Sequence, residues 1–325
     1  MNRIFCLLGL AGLLLAAGCR KDDVVDCAPA ATNALDEFTR RNGVPVQTFS
    51  LALGSTAQVV QTFTTSGGAK ISFPSTGFVL PNGTAAIGAA QVRIREIYSV
   101  PDMVLSNMPT QLRNSRELLI SGGEFSIQVW QSGVRLRLAA GPARVVVASP
   151  VPAGASAGQQ SLWQQQATLV RDSAGWSPPA PVPAPTPNDT IRTVGTPPVY
   201  QTSIPLDSVS WWNIDRLWTL YQTAPVGTVT VQVPAIPTSS AGSTQVFLRS
   251  VGLNGLARLY SSNAARTSWS ASMPTGASMK VAVLQSIGGQ LYFGTQSIIT
   301  QSGLVVTPTL TAVSEADAVR LIRQL

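Results

Sequence analysis

The sequence predicts an all-β protein: two β-sandwich domains joined by a proline-rich linker, with a short helix at the C-terminal end. Three observations carry this expectation. Charged residues make up only 11% of the 325 residues, while Ser, Thr, Gln, Val, Ala and Gly abound, a composition that favours strands with polar uncharged faces over helical bundles. Apolar residues recur at every second position in short runs, the period of a strand with one buried face. Gly-, Pro- and Asn-rich punctuation separates these runs closely enough to pair neighbours antiparallel.

The chain starts outside that fold. Met1-Asn2-Arg3 supplies one positive charge, Ile4 to Ala17 an apolar run too short to span a bilayer, and small residues then precede Cys19. This is the layout of a secretory signal over residues 1–18. Leu15-Ala16-Ala17-Gly18-Cys19 resembles a bacterial lipobox, with Ala16 where Leu is commoner; the resemblance implies that the Cys19 thiol receives palmitate-class acyl chains and becomes the N-terminus. Each buried methylene of such chains adds about 0.8 kcal/mol of membrane affinity. Arg20-Lys21-Asp22-Asp23 follows at once and resembles the Lys-acidic-acidic export signal of Bacteroidota-type lipoproteins, which implies display outside the outer membrane. The plainer alternatives are an ordinary signal with a chance Cys and a solvated start to a tether. Residues 19–46 read as that tether, with one helix-like patch from Leu35 to Arg41.

Residues 47–176 form the first expected sandwich. Its strands are marked by Phe49, Leu51 and Leu53; Ile71 and Phe73; Val92 and Ile94; Phe125, Ile127 and Val129; Val134, Leu136 and Leu138; Val145 and Val147. Gly67-Gly68, Pro81-Asn82-Gly83, Gly122-Gly123 and Ser132-Gly133 read as the turns between them. Ser161 to Trp176 reads as a further hairpin. Residues 177–205 begin "SPPAPVPAPTPND", in which successive prolines remove the amide donors a ladder needs, so a stiff extended linker is expected. Residues 206–325 form the second sandwich, with strands through Val229 to Val233, Val246 and Leu248, Val281 and Val283, a Gly288-Gly289 hairpin, Tyr292, and Leu304 to Val306. Ser314-Glu315-Ala316-Asp317 reads as a capping box before a helical stripe of Val319, Ile322 and Leu325.

Charge and residue usage exclude several function classes. The net charge of +7 is spread thinly, with Arg93, Arg95, Arg135, Arg137 and Arg144 alternating with apolar residues, so no nucleic-acid stripe is present; acidic glycans or lipopolysaccharide suit such a surface better. Cys6 leaves with the signal and Cys19 is the expected lipid site, so Cys27 has no intrachain partner. The chain contains no His, which removes the commonest general base and the commonest zinc ligand together. No metal site, cofactor motif or catalytic constellation is expected.

Several individual residues carry both a functional and a plainer reading. "GASAG", Gly154 to Gly158, matches a nucleophile elbow around Ser156, but it sits in a loop of a His-free β chain, without the strand-to-helix turn or the base. Glu96 shares a face with Val92, Ile94 and Tyr98, where a buried acid would have a raised pKa and serve as an acid catalyst; a bulge or an Arg partner is the plainer account. Glu124 or Asp102 would complete a glycosidase-like pair with it. Trp211, Trp212 and Trp218 read either as a sugar-stacking platform or as core; alternation puts Trp212, Ile214, Arg216 and Trp218 on one side. Asp215 and Arg216 face opposite ways and each pins a separate loop. Ser173, Thr190 and Ser208 sit in Asp-Ser/Thr-apolar triplets that resemble the O-glycosylation acceptor of Bacteroidota-type bacteria, all three flanking the proline-rich segment.

Several longer stretches carry a family resemblance. "GGAKISFPSTGFVLPNG" (Gly67 to Gly83), "VRIREI" (Val92 to Ile97), "DMVLSNMPT" (Asp102 to Thr110) and "LLISGGEFSIQVWQSGVRLRLAAG" (Leu118 to Gly141) resemble the N-terminal β-sandwich of Bacteroidota-type surface lipoproteins, itself similar to the ZU-type modules of ankyrins and netrin receptors. "WWNIDRLW", Trp211 to Trp218, is similar to a Trp-x-Asn-Cys-Asp-Arg segment of the same lipoproteins; Ile214 stands where that segment has Cys, so no thiol role carries over. The resemblance implies architecture and location, and brings no activity. The expectation is a lipid-anchored, surface-exposed, non-catalytic outer-membrane protein that binds a glycan or an envelope protein. The alternatives are a periplasm-facing assembly lipoprotein and, last, a hydrolase using Glu96 or Glu124.

Overall fold

A computed structural model describes residues 34–54, 59–139, 143–155, 160–165, 175–178, 191–204, 206 and 211–325. Cys19, Arg20, Lys21, Asp22, Asp23, Cys27, Ser156, Ser173, Thr190 and Ser208 lie outside the described residues. Ala34–Leu325 forms one compact unit, and its architecture is all-β with short helices packed between sheets.

The first sandwich uses strands β1 (Gln47–Leu53), β2 (Val60–Thr64), β3 (Lys70–Pro74), β4 (Phe78–Val79), β5 (Gly88–Ile97), β6 (Leu119–Gln131), β7 (Val134–Leu138), β8 (Val145–Pro150), β9 (Ser161–Gln165), β10 (Arg192–Val194), β11 (Val199–Ile204) and β12 (Trp211–Leu217). One sheet runs β1-β5-β6-β12-β9, with β7 joining β6 to β4; the facing sheet runs β10-β11-β8-β3-β2. Alternation works as expected here: Leu51, Val92, Ile94, Ile127 and Val129 meet Ile71, Phe73, Val145 and Val147 in one core. Two expectations change. Gly122-Gly123 is not a turn but lies in the middle of β6. The segment expected to be linker contributes β10 and β11 to the first sandwich, and β12, expected in the second domain, pairs with β6 and β9. Val199, Tyr200, Thr202 and Ile204 follow the last proline cluster and restore a ladder-competent, β-branched and aromatic run.

The second sandwich has β13 (Val226–Gln232), β14 (Gly242–Ser250), β15 (Leu256–Arg258), β16 (Ser261–Ser262), β17 (Ser268–Pro274), β18 (Ser278–Ile287), β19 (Gln290–Ile299), β20 (Leu304–Val306) and β21 (Thr311–Val313). Its sheets are β16-β17-β13-β20 and β15-β14-β18-β19-β21. Val229, Val231, Val246, Leu248, Val281 and Val283 fill the space between them, joined by Leu118 and Ile120 from the start of β6. A strand of the first sandwich thus supplies core to the second.

A third core lies between the two sandwiches. Helices α1 (Ala34–Asn42), α2 (Val100–Ser106) and α4 (Glu315–Ile322), with a single turn α3 (Leu220–Thr223) elsewhere, bury Leu35, Phe38, Met103, Leu105 and Ile322 against Phe247, Ala282, Leu284 and Phe293 of the second sandwich. Each helix is specified locally. Asp36 and Glu37 open α1, and Arg40 and Arg41 close it, matching the helix dipole. Ser99 caps α2, accepting from the Asp102 amide, and Asn107 ends it at φ 51°. Ser314 caps α4, accepting from the Asp317 amide at 3.0 Å, as its capping box predicts. Arg41 donates twice to Glu315, at 3.0 and 2.7 Å, tying the first helix to the last. The patch within the expected tether is therefore part of the folded body, because Leu35 and Phe38, one turn apart, are each only 1% exposed. Phe38→Ala is expected to cost about 3–5 kcal/mol, measured by urea unfolding; a loss below 1 kcal/mol would return α1 to the tether.

Candidate functional site

Two features of the first sandwich hold its concentrated chemistry. One is a buried acidic centre and the other an exposed arginine and tryptophan face on the same sheet.

The acidic centre is built by a bulge. Asn213 pairs with Glu124 and Asp215 with Ser121, so Gly122 and Gly123 of β6 stand opposite the single residue Ile214. A Cβ on Gly122 would fall 2.6 Å from the Tyr200 ring and 2.8 Å from the Ile214 carbonyl, and one on Gly123, at φ +131°, 2.9 Å from the Tyr98 ring. Only glycines allow both tyrosines to close on the strand. Around them Ser121, Glu124, Asn213 and Asp215 are each 0% exposed. Ser121 Oγ donates to Asn213 Oδ1 at 3.0 Å and Asn213 Nδ2 donates to Asp215 Oδ2 at 2.5 Å. Among the described residues no donor reaches either Glu124 oxygen or Asp215 Oδ1.

Burial first, and the neighbouring Asp215 second, hold the Glu124 carboxyl well above the usual carboxylate range. Burial raises Asp215 as well, against the pull of hydrogen bonds from Ser121 and the Gly122 amide. Two like charges in a dry interior disfavour joint ionisation, so each carboxyl is pushed toward its neutral form. Both carboxyls are 0% exposed and lie where β6 and β12 pair around the bulge. Asn254, from a loop of the second sandwich, donates to the Tyr98 and Ser121 carbonyls at 3.0 and 2.8 Å, so the same spot joins the two sandwiches.

The other acids are equally occupied. Glu96 is neither at a bulge nor beside an Arg: Oε1 accepts from Gln47 Nε2 at 3.0 Å and the Gly67 amide at 2.6 Å, and Oε2 from Thr65 Oγ1 at 2.7 Å and Tyr98 Oη at 3.0 Å. The carboxylate is a four-way clamp holding the β2–β3 turn to β5. Glu96→Gln places an amide donor against these donors and is expected to cost about 1–3 kcal/mol, read by thermal unfolding. Asp102, in the first turn of α2, accepts from Ser99 Oγ at 2.7 Å and pairs with Arg323, while the carboxyl coupled to Glu124 is Asp215. The glycosidase-like pairings are therefore not formed. Gly154 of "GASAG" is explained by packing, since a Cβ there would lie 2.8 Å from the Asn254 amide nitrogen.

The three tryptophans do not form a platform. Trp212 is 1% exposed in the first core, Trp218 is 8% exposed in the second, and Trp211 is half-buried at the margin of the third. Trp218 lies past the end of β12, so strand alternation no longer governs it, and it packs edge-on against Tyr221, with centroids 5.9 Å apart.

What reaches solvent is the outer face of the β1-β5-β6 sheet. The Arg93 guanidinium stands 5.1 Å from the Trp130 ring centroid and that of Arg95 5.4 Å from Trp211, both within cation–π range. Arg93 Nε donates to Gln91 Oε1 at 2.7 Å and Trp130 Nε1 to Gln128 Oε1 at 3.0 Å. Arg95 Nε donates to the Val44 carbonyl at 3.0 Å, at the edge of an open cleft of about 570 Å³ that Arg40, Arg41, Ser106 and Asn107 also line. A smaller cleft, about 290 Å³, lies in the second sandwich where Arg116 and Arg258 flank Tyr260. The sequence reading named Arg93 and Arg95 as charges but not their aromatic partners; the missing signal was cross-strand register, which puts Arg93 beside Gln128 and Arg95 beside Ser126. Comparison with protein-family models and with curated proteins finds no match for the chain.

Proposed function

We propose that this is a lipid-anchored envelope protein, held at the outer membrane through Cys19 and displayed on the cell surface, which binds a glycan or protein partner without catalysis. The carrying observation is the arginine and tryptophan face: Arg93 exposed, Arg95, Trp130 and Trp211 half-buried, all backed by a sheet and made of side chains that recognise rather than react. The engagement of the acids supports the same reading, since Glu96 is saturated with donors and Glu124 and Asp215 are closed to solvent. The lipobox-like segment and the following Arg20 to Asp23 string support the location, in line with the resemblance to surface lipoproteins carrying a ZU-like sandwich.

Protease shaving of intact cells tests the placement, with a periplasmic protein as control. Loss of this protein while the control stays intact is the expected result. Full protection would overturn surface display and leave an inward-facing assembly lipoprotein.

A further inference from the structure

We infer that the outer face of the β1-β5-β6 sheet, centred on Arg93 and Arg95, is a docking surface for a carboxylate-bearing polysaccharide. The inference rests on the binding-module reading above and assigns both its site and its ligand class. Arg93 and Arg95 are two residues apart on one strand, so their Cα atoms are about 6.7 Å apart and their side chains share a face. Each guanidinium lies against an indole on the neighbouring part of the sheet. The Nε–H of each is already used, by Gln91 Oε1 and by the Val44 carbonyl, so the terminal Nη groups are the ones that face an incoming planar anion, and the two Nη of a guanidinium can hold a carboxylate with parallel hydrogen bonds.

Charge on this face is of one sign. The residues that β5 turns outward before the third core are Gln91, Arg93 and Arg95, those of β6 are Ser126, Gln128 and Trp130, and those of β1 are Thr48 and Ser50. None is acidic, and Arg95 is half-buried beside the cleft without a carboxylate in its hydrogen bonds or ion pairs. Desolvation disfavours a guanidinium that has no counter-anion, so an incoming carboxylate gains an interaction the folded protein does not supply for itself. The amides of Gln91 and Gln128 and the hydroxyls of Thr48 and Ser50 suit sugar hydroxyls. A polysaccharide fits better than an anionic membrane, because the projecting apolar side chains near this face are single ones at its margins, Val46 and Ile87, and do not form the continuous apolar surface that a bilayer contact needs.

The test uses the full chain in detergent micelles, with polygalacturonate as probe, an uncharged glucan of similar length as control, and micelles doped with anionic phospholipid as competitor. Polygalacturonate should bind at least tenfold more tightly than glucan, with affinity falling as salt rises. Arg93→Gln, at an exposed position, should weaken binding at least threefold with little shift in melting temperature, and adding Arg95→Gln, which also removes the bond to the Val44 carbonyl, should take the loss past tenfold in protein that still melts cooperatively. Arg93→Lys should recover only part of the loss, because an ammonium cannot make the paired contact. Binding unchanged in the double variant, or equal for glucan, overturns the inference. Competition by anionic lipid at matched charge overturns the polysaccharide as occupant. If the protein binds neither polymer yet crosslinks to an envelope protein, the ligand class fails and the binding-module reading survives.

Discussion

Trp212→Ala is expected to lower the unfolding free energy by about 3–5 kcal/mol, the range for deleting a large aromatic from a closed core, while leaving polygalacturonate binding by the remaining folded protein unchanged. Trp212 is 1% exposed and shares its core with Phe125, Tyr200 and Ile214. Its ring contributes volume and apolar burial to the contact between the two sheets and has no path to a ligand. Trp212→Phe, which keeps an aromatic ring, should lose less and remain folded, so a binding readout is secured even where the alanine variant unfolds. Binding that disappears in Trp212→Phe with the melting curve intact would restore the tryptophan cluster as a sugar platform.

The fold was largely legible in the sequence because its main signal is local. Period-two alternation picks out β1, β3, β5, β6 and β8 from side-chain type alone, and the Ser314 to Asp317 capping box identifies α4. What failed was information that is not local. Gly122-Gly123 has the composition of a turn, and only the closeness of Tyr98 and Tyr200, brought from other strands, makes it a bulge instead. Trp211 to Trp218 reads as one amphipathic strand, yet its tryptophans enter three cores because β12 sits where the sandwiches and the helical layer meet. The boundary between domains was set by the prolines, but pairing of β11 with β8 and of β12 with β6 decides membership. Asp215 reads from the sequence as a pin for a separate loop, and nothing in its neighbours along the chain reveals that it is 0% exposed beside Glu124.

That covered position gives the protein a pH dependence of definite sign. Burial pushes the folded-state pKa of both Glu124 and Asp215 up, whereas in the unfolded chain both groups titrate near pH 4. Between those limits the folded state binds more protons than the unfolded, so stability is greatest below about pH 4 as far as this pair is concerned and declines as pH rises toward the folded pKa. The slope is about 1.4 kcal/mol per pH unit for each extra proton that the folded state holds, over the interval between the unfolded and folded pKa values. Glu124→Gln removes the titrating member that lacks donors. Its amide also lacks partners and carries a desolvation cost, but that cost does not vary with pH, so the variant is identified by a flatter profile and not by its absolute stability. Urea unfolding of both proteins at pH 5, 6.5 and 8 measures this directly. A wild-type profile as flat as that of Glu124→Gln would mean that the Glu124 carboxyl is not raised in the folded state, against its burial at 0% exposure and its lack of a hydrogen-bond donor.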